Sequence, residues 1–251
     1  MLIDHPNGNY TFIKGIGPFS SGCKAQPGYE IVHAIFHPLP ALQQGFELIA
    51  NHLQHLGRPI QAVCGMELRI PQPLSPQAFN AFNAPYIQQL ADWNIMVDDV
   101  NPVARTNVAL AVHPVAEPSL YGFSYTVPAQ HQDTTFILSG SAETRRPPDG
   151  EGYEIVSHGD VSAEGLGHKA THVLQNLEDR LHEMAVTWAD TTTVQLYTVH
   201  NIHPLLESRL LPPLGSGSQH GLQWHYSRPP VTELEYEMDA RGVQQECVLA
   251  G

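Results

Sequence analysis

Apolar positions in this chain recur first at helical and then at strand spacing, and they do so twice. Phe46, Ile49, Ala50, Leu53 and Leu56 stand at three- and four-residue intervals, which predicts an amphipathic helix. Gly57 closes it, and the alternating stretch Val63–Ile70 follows as a strand. Later, Leu174, Leu177, Leu181 and Met184 form a second stripe, and the β-favouring run 192–199 follows it. With the strand-like segments ahead of each helix, both regions read β-β-α-β. A further helix is predicted over 76–93 in the first region and a shorter one over 204–211 in the second. Two closing strands complete each: 106–112 and 120–127 around a turn at 113–118, then 222–226 and 234–243 around a turn at 228–233 that contains Pro229-Pro230.

This order points to a duplicated unit, and a pentapeptide supports it. Gly28-Tyr29-Glu30-Ile31-Val32 recurs as Gly152-Tyr153-Glu154-Ile155-Val156, each copy behind a Ser-Gly pair, Ser21-Gly22 and Ser139-Gly140. The polar stretch near 128–133 divides the chain into units 1–128 and 129–251, and residues 145–152 read as an insertion in the second. The competing reading is one continuous α+β domain.

Composition narrows the function classes. The chain has 251 residues, of which 42% are hydrophobic, enough for a substantial core. Twelve Lys and Arg against twenty-five Asp and Glu give a formal charge of -13, which disfavours nucleic acid and anionic membranes as partners and obliges an anionic ligand to find a local positive group. The amino-terminal residues lack the basic start and apolar run of a signal peptide, and no stretch approaches the roughly eighteen apolar residues of a membrane span. A cytoplasmic protein is therefore expected. Cys23, Cys64 and Cys247 have no C-x-x-C spacing and read as free thiols. His33/His37 and His168/His172 have i, i+4 spacing but no Glu in an H-E-x-x-H arrangement, so neither metal nor cofactor is expected.

Motifs at several separated points resemble the RidA (YjgF) family of enamine and imine deaminases. Gly17-Pro18-Phe19-Ser20 is similar to its G-P-Y-S, Ser21-Gly22 to its S-G-Q, and the helix carrying Phe79, Asn83 and Tyr86 to its F-x-x-x-N-x-x-Y. Pro102-Val103-Ala104-Arg105-Thr106-Asn107-Val108 resembles the P-A-R-[ST]-x-V strand, with the Pro one residue further from the Ala. In the second half, Phe136-Ile137-Leu138-Ser139-Gly140 resembles the first core strand, His158-Gly159-Asp160 the G-D helix entry, and Leu234-Glu235-Tyr236-Glu237 the terminal [IV]-E-I-E strand. The resemblance implies two ferredoxin-like, chorismate-mutase-like β-β-α-β-α-β-β domains in tandem, an α+β fold. It also implies assembly as a homo-oligomer, a trimer foremost, with ligand pockets between neighbouring domains.

What the resemblance implies about chemistry falls on few residues. Arg105 takes the position that binds the substrate carboxylate, for which a guanidinium fork is suited; its structural alternative is an internal ion pair. Glu235 takes the position of the carboxylate that handles protons and water. Strand alternation sets Glu235, Glu237 and Asp239 on one face, most of which reads as solvated. Phe19, Ser20, Asn83, Tyr86 and Trp224 are candidate pocket residues, although such aromatics serve equally as core. His225 is a candidate proton donor, and Arg228, on its Pro-rich turn, a candidate contact for a second carboxylate. The copies are unequal: the first has the Arg and lacks the E-x-E strand, the second the reverse. A composite site of Arg105 and Glu235 follows as the preferred arrangement. The expected function is hydrolytic deamination of a small carboxylated enamine or imine, of 2-imino acid or aminomuconate type. The alternatives are a non-catalytic carboxylate-binding protein and a chorismatase-like enzyme.

Overall fold

The computed structural model describes residues 2–146 and 152–251. Residues 147–151 of the expected 145–152 insertion lie outside the described residues. The first half contributes β1 (Leu2–His5), β2 (Tyr10–Ile13), β3 (Gly22–Ala25), β4 (Tyr29–His37), α1 (Leu42–His55), β5 (Val63–Ile70), α2 (Pro76–Asp92), β6 (Ala104–Leu110) and β7 (Ser119–Pro128). The second contributes β8 (Phe136–Ala142), β9 (Thr144–Arg145), β10 (Glu154–Ile155), α3 (Ala163–Glu183), β11 (Thr193–Tyr197), the single turn α4 (Leu211–Leu214), β12 (Gln223–His225), β13 (Ser227–Arg228), β14 (Glu237–Gly242) and β15 (Gln245–Ala250).

Local signals set the helices. Ser75 Oγ accepts from Ala78 N at 3.2 Å and Pro76 occupies the first turn of α2; Ser162 Oγ accepts from Gly165 N at 3.1 Å at the start of α3. Gly57, at φ 65, ends α1 in the left-handed region where a Cβ is costly. The expected helix at 204–211 is instead a 3-10 turn (His203–Leu205), a π turn (Leu206–Leu210) and α4, because Pro204, Pro212 and Pro213 interrupt the backbone hydrogen-bond ladder.

The duplication is visible in the sheets. In the first half the order is β4-β7-β5-β6, with β7 antiparallel to β4 and β5, and β5 parallel to β6. In the second it is β8-β14-β11-β12, with the same senses at each step. The pentapeptide, by contrast, is not an equivalent pair: Tyr29 opens the long strand β4, whereas Glu154–Ile155 forms a two-residue ladder with β9 outside both main sheets. The strand equivalent to β4 is β8.

Each main sheet borrows strands from the other half. β3 pairs with β8, so β1, β2 and β3 extend the second half's sheet to seven strands. β15 adds parallel to β4, and β13 antiparallel to β6, giving the first half's sheet six. Hydrogen-bonded pairing therefore crosses the expected 128/129 division at both ends of the chain.

The two sheets stack with helices outside. α1 and α2 cover one outer face through Phe46, Ile49, Leu53, Tyr86 and Leu90; α3 covers the other through Leu166, Val173, Leu177 and Leu181. Between the sheets lie Tyr10, Phe12 and Cys23 from one and Ile31, Cys64 and Ala104 from the other. The inner layer is also polar. Thr106 Oγ1 donates to Asp239 Oδ2 at 2.5 Å across the gap, and Glu67 accepts from His33 at 2.9 Å with Arg241 at 3.5 Å. The carboxylate face of β14, expected to be largely solvated, is buried here: Glu237 is 5% and Asp239 4% exposed.

Candidate active site

A cavity of about 760 Å³ opens where the two halves of this one chain meet. Phe19, Phe79 and Asn83 of the first half and Gly140, Arg180 and Glu237 of the second form much of its wall. Among the described residues, Glu237 is the one carboxylic acid in that wall, while Arg145, Arg146 and Arg180 all border it.

Arg105 stands just behind the wall. Alternation along β6 turns its side chain toward α2, where the guanidinium carbon lies 4.8 Å from the Phe19 ring centre, 4.7 Å from Tyr86 and 5.6 Å from Phe79. Its backbone N–H donates to Ser139 Oγ at 3.0 Å. The charge is held by aromatic faces, and neither Nη1 nor Nη2 has a hydrogen-bond partner although both are buried. Burial lowers Arg105 to about 10, with Tyr86 and Glu237 acting in the other direction, so it is a cation at neutral pH. Asn83 Oδ1, Ser20 Oγ and Tyr86 Oη are likewise buried without partners. Burial pushes Tyr86 up to about 12 against the pull of Arg105, so its hydroxyl stays protonated. Phe19, Ser20, Asn83, Tyr86 and Arg105 are thus gathered at one place.

Glu235, Trp224, His225 and Arg228 are not. Glu235 Oε2 accepts from Arg228 Nη1 and lies against His200 Nε2, both at 2.7 Å. Arg228 is in a short strand rather than a free turn, paired to β6 opposite Ala109. Trp224 Nε1 donates to the Thr198 carbonyl at 2.9 Å. His225 stacks on Tyr197 and meets Gln195 Oε1 at 2.9 Å; burial, with Arg69 adding to it, lowers its pKa to about 4, which leaves the ring neutral.

The carboxyl in the cavity is Glu237. β14 begins at Glu237, so the alternation that would put Glu235 beside it does not extend back that far. Instead the Glu143 carboxylate accepts the backbone N–H groups of Glu235 and Tyr236 at 2.6 and 3.1 Å and is itself paired with Lys169 at 3.3 Å, both side chains fully buried. That clamp fixes the entry to β14. Burial raises the pKa of Glu237 well above 4.5, Asp239 and Glu143 add to the rise, and Arg105 and Arg180 oppose it. The balance favours the acid form.

Two cavity residues were given no role from the sequence. Glu237, two residues beyond Glu235, was placed with Asp239 on the strand face expected to be mostly solvated. Arg180 had a signal: it falls three residues after Leu177 and four before Met184, half-buried at the edge of the apolar stripe of α3, where a charge is costly without a partner. Gly140 has a steric role, because a Cβ there would overlap Glu237 Oε1. Gly140→Ala is expected to displace the carboxyl and reduce turnover by more than its thermal destabilisation explains; activity at full foldedness, read beside the melting curve, checks this. Normal turnover would remove Gly140 from the account.

The match that decides membership spans residues 2–247, to the family model described as 2-aminomuconate deaminase CnbZ. The chain belongs to this family. A relative from Comamonas testosteroni, named 2-amino-5-chloromuconate deaminase, is 41% identical over 244 residues, covering 96% of each chain. Among solved structures, a chorismatase is 13% identical, with 89% of this chain and 77% of that one covered and a TM-score of 0.49. A Rid-family protein of unknown function, YyfB from Yersinia pestis, is 21% identical over 43% of this chain and 77% of its own, with a TM-score of 0.31. For this 2-aminomuconate deaminase family member the cavity between the halves is the candidate site, and no helix among the described residues is long and apolar enough to cross a membrane.

Proposed function

We propose that this chain hydrolytically deaminates an aminomuconate-type substrate, a carboxylated enamine, to a 2-oxo acid and ammonia. The observation that carries the reading is a buried arginine with unused N–H donors beside a cavity whose one carboxyl among the described residues, Glu237, is buried and has its pKa pushed up by that burial. Membership in the family and the named activity of the Comamonas relative support the substrate class.

Arg105 holds the carboxylate next to the amino-bearing carbon, which reaches it past the partly buried Phe19. Glu237 gives its proton to the enamine carbon, turning C=C–NH2 into an iminium. As a carboxylate it then takes a proton from water while the water oxygen bonds to the C=N carbon. It returns that proton to nitrogen, ammonia leaves as the C–N bond breaks, and the hydroxyl proton comes back to Glu237 as C=O forms. Water is consumed, ammonia is released, and Glu237 ends protonated as it began.

Arg105→Ala is expected to lower kcat/KM for freshly generated 2-aminomuconate by about 10- to 100-fold, the range for one charge-assisted contact, with most of the effect in KM. Ammonia release measures it; turnover unaffected by the substitution would falsify the assignment. Wild-type protein that is stabilised by the oxo acid yet releases no ammonia would instead be a binding protein. Assembly as a trimer and a cytoplasmic setting are part of the same proposal. The trimer rests on the RidA resemblance, and light scattering tests it against the 27.6 kDa single chain.

A further inference from the structure

Buried or half-buried arginines in proteins are ordinarily matched to carboxylates. Acids outnumber bases here by twenty-five to twelve, yet among the described residues neither Arg105 nor Arg180 forms an ion pair. Arg180 reaches from α3 across β8. Its Nη1 donates to the Ser139 carbonyl at 2.9 Å and more weakly to that of Ser21 at 3.5 Å, and its Nη2 lies 3.4 Å from Ser141 Oγ. All these partners are neutral, so the guanidinium is oriented but its charge is not neutralised. The side chain is only partly buried and borders the cavity.

Ser139 links the Arg105 backbone to the Arg180 side chain. Its Oγ accepts from the Arg105 backbone and donates to the Ser20 carbonyl at 2.6 Å, while its own carbonyl takes Arg180. Both arginines act electrostatically on Glu237, which places the reacting carboxyl within the field of both. Four of the twelve basic residues, Arg105, Arg145, Arg146 and Arg180, gather at this one cavity. Arg145 and Arg146 are both exposed, and Arg145 is already paired with Glu154 at 3.0 Å, whereas Arg180 is half-buried and held in place by the Ser139 carbonyl. Phe79, Val231 and Leu234 add apolar surface to the same wall, which suits an unsaturated carbon chain.

We propose that Arg180 receives the second, distal carboxylate of the substrate and makes the site selective for dicarboxylic over monocarboxylic 2-enamino acids. The inference rests on the cavity being the substrate site, as proposed above, and names the residue that reads the far end of the substrate. One cation takes each end, and the reacting carbon lies between them beside Glu237.

Muconate and sorbate separate this from the deaminase reading, because they share a six-carbon diene, differ in the distal carboxylate and need no turnover. Calorimetric titration of the whole protein is expected to give tighter binding of muconate than of sorbate. Arg180→Gln, which keeps an amide donor for the Ser139 carbonyl, is expected to weaken muconate about 10- to 100-fold and to leave sorbate within about twofold. Arg180→Lys keeps the charge and is expected to retain part of the preference; it carries the test if the Gln variant does not fold. Equal loss of both ligands in the variants, or wild-type protein that binds them equally, overturns the proposal. Selective muconate binding without ammonia release from aminomuconate would uphold Arg180 and defeat the deaminase assignment instead.

Discussion

Glu237→Gln is expected to abolish ammonia release, by about 10²- to 10⁴-fold as for other general acid–base groups, while leaving the fold and carboxylate binding nearly intact. The second half of that expectation comes from the state of the side chain. Burial and the neighbouring Asp239 and Glu143 raise the pKa of Glu237 and so favour its acid form, to which an amide is a close match in size and charge. What the substitution removes is the proton donated to carbon and later taken from water. For the wild type, the active acid form is fully present at low pH and is lost as pH rises through the raised pKa, so kcat/KM should fall on the alkaline side. Mixing Glu237→Gln with Arg105→Ala protein should recover nothing, because both residues serve one cavity within one chain. Recovery on mixing would mean that the working site spans chains.

The largest stability effect is expected at Glu67. This carboxylate, 8% exposed in the layer between the sheets, faces His33 at 2.9 Å, Arg241 at 3.5 Å and Arg69 at 3.9 Å. Burial would raise its pKa, but His33, Arg241 and Arg69 outweigh burial and hold it far below 4.5. His33 shows the reciprocal effect: burial works against its charged form, and Glu67 and Glu246 keep its pKa above 6.5. Glu67→Gln takes the buried counter-charge from Arg69 and Arg241 and the carboxylate partner from His33, with Glu246 still paired to Arg241 at 2.7 Å, a loss of about 3–5 kcal/mol, measured by urea unfolding at pH 7. Because the folded pKa is depressed, the Glu67 contribution is complete above 4.5 and is lost as pH falls toward the folded value. The stability gap between wild type and variant should therefore narrow on strong acidification. A gap below about 1 kcal/mol at pH 7, the range of an exposed pair, would mean that solvent reaches this layer.

Fold and family were legible because they rest on repeated local patterns: the stripes of α1 and α3, and strands whose order recurs with the same pairing senses. The clearest verbal repeat misled. Identical pentapeptides took different structures because partners elsewhere decide strand pairing, β7 for Tyr29 and β9 for Glu154. Arg105, Phe19, Ser20, Asn83 and Tyr86 came together as the motifs suggested. On the other side of the cavity, choosing between Glu235 and Glu237 required knowing where β14 begins, and that is set by Glu143, 92 residues from Glu235 in the chain. No local pattern carries that information.

The exchanged edge strands bear on how the protein is made. β4 lies in the first half, but the strand that covers its open side, β15, is translated after β1 to β14. A nascent chain that has completed the first half therefore presents a bare strand edge, a surface prone to pairing with other chains. Folding of the first half during synthesis can be partial only, and shortening β15 should harm yield in cells before it harms the chemistry, since this strand lies away from the cavity wall.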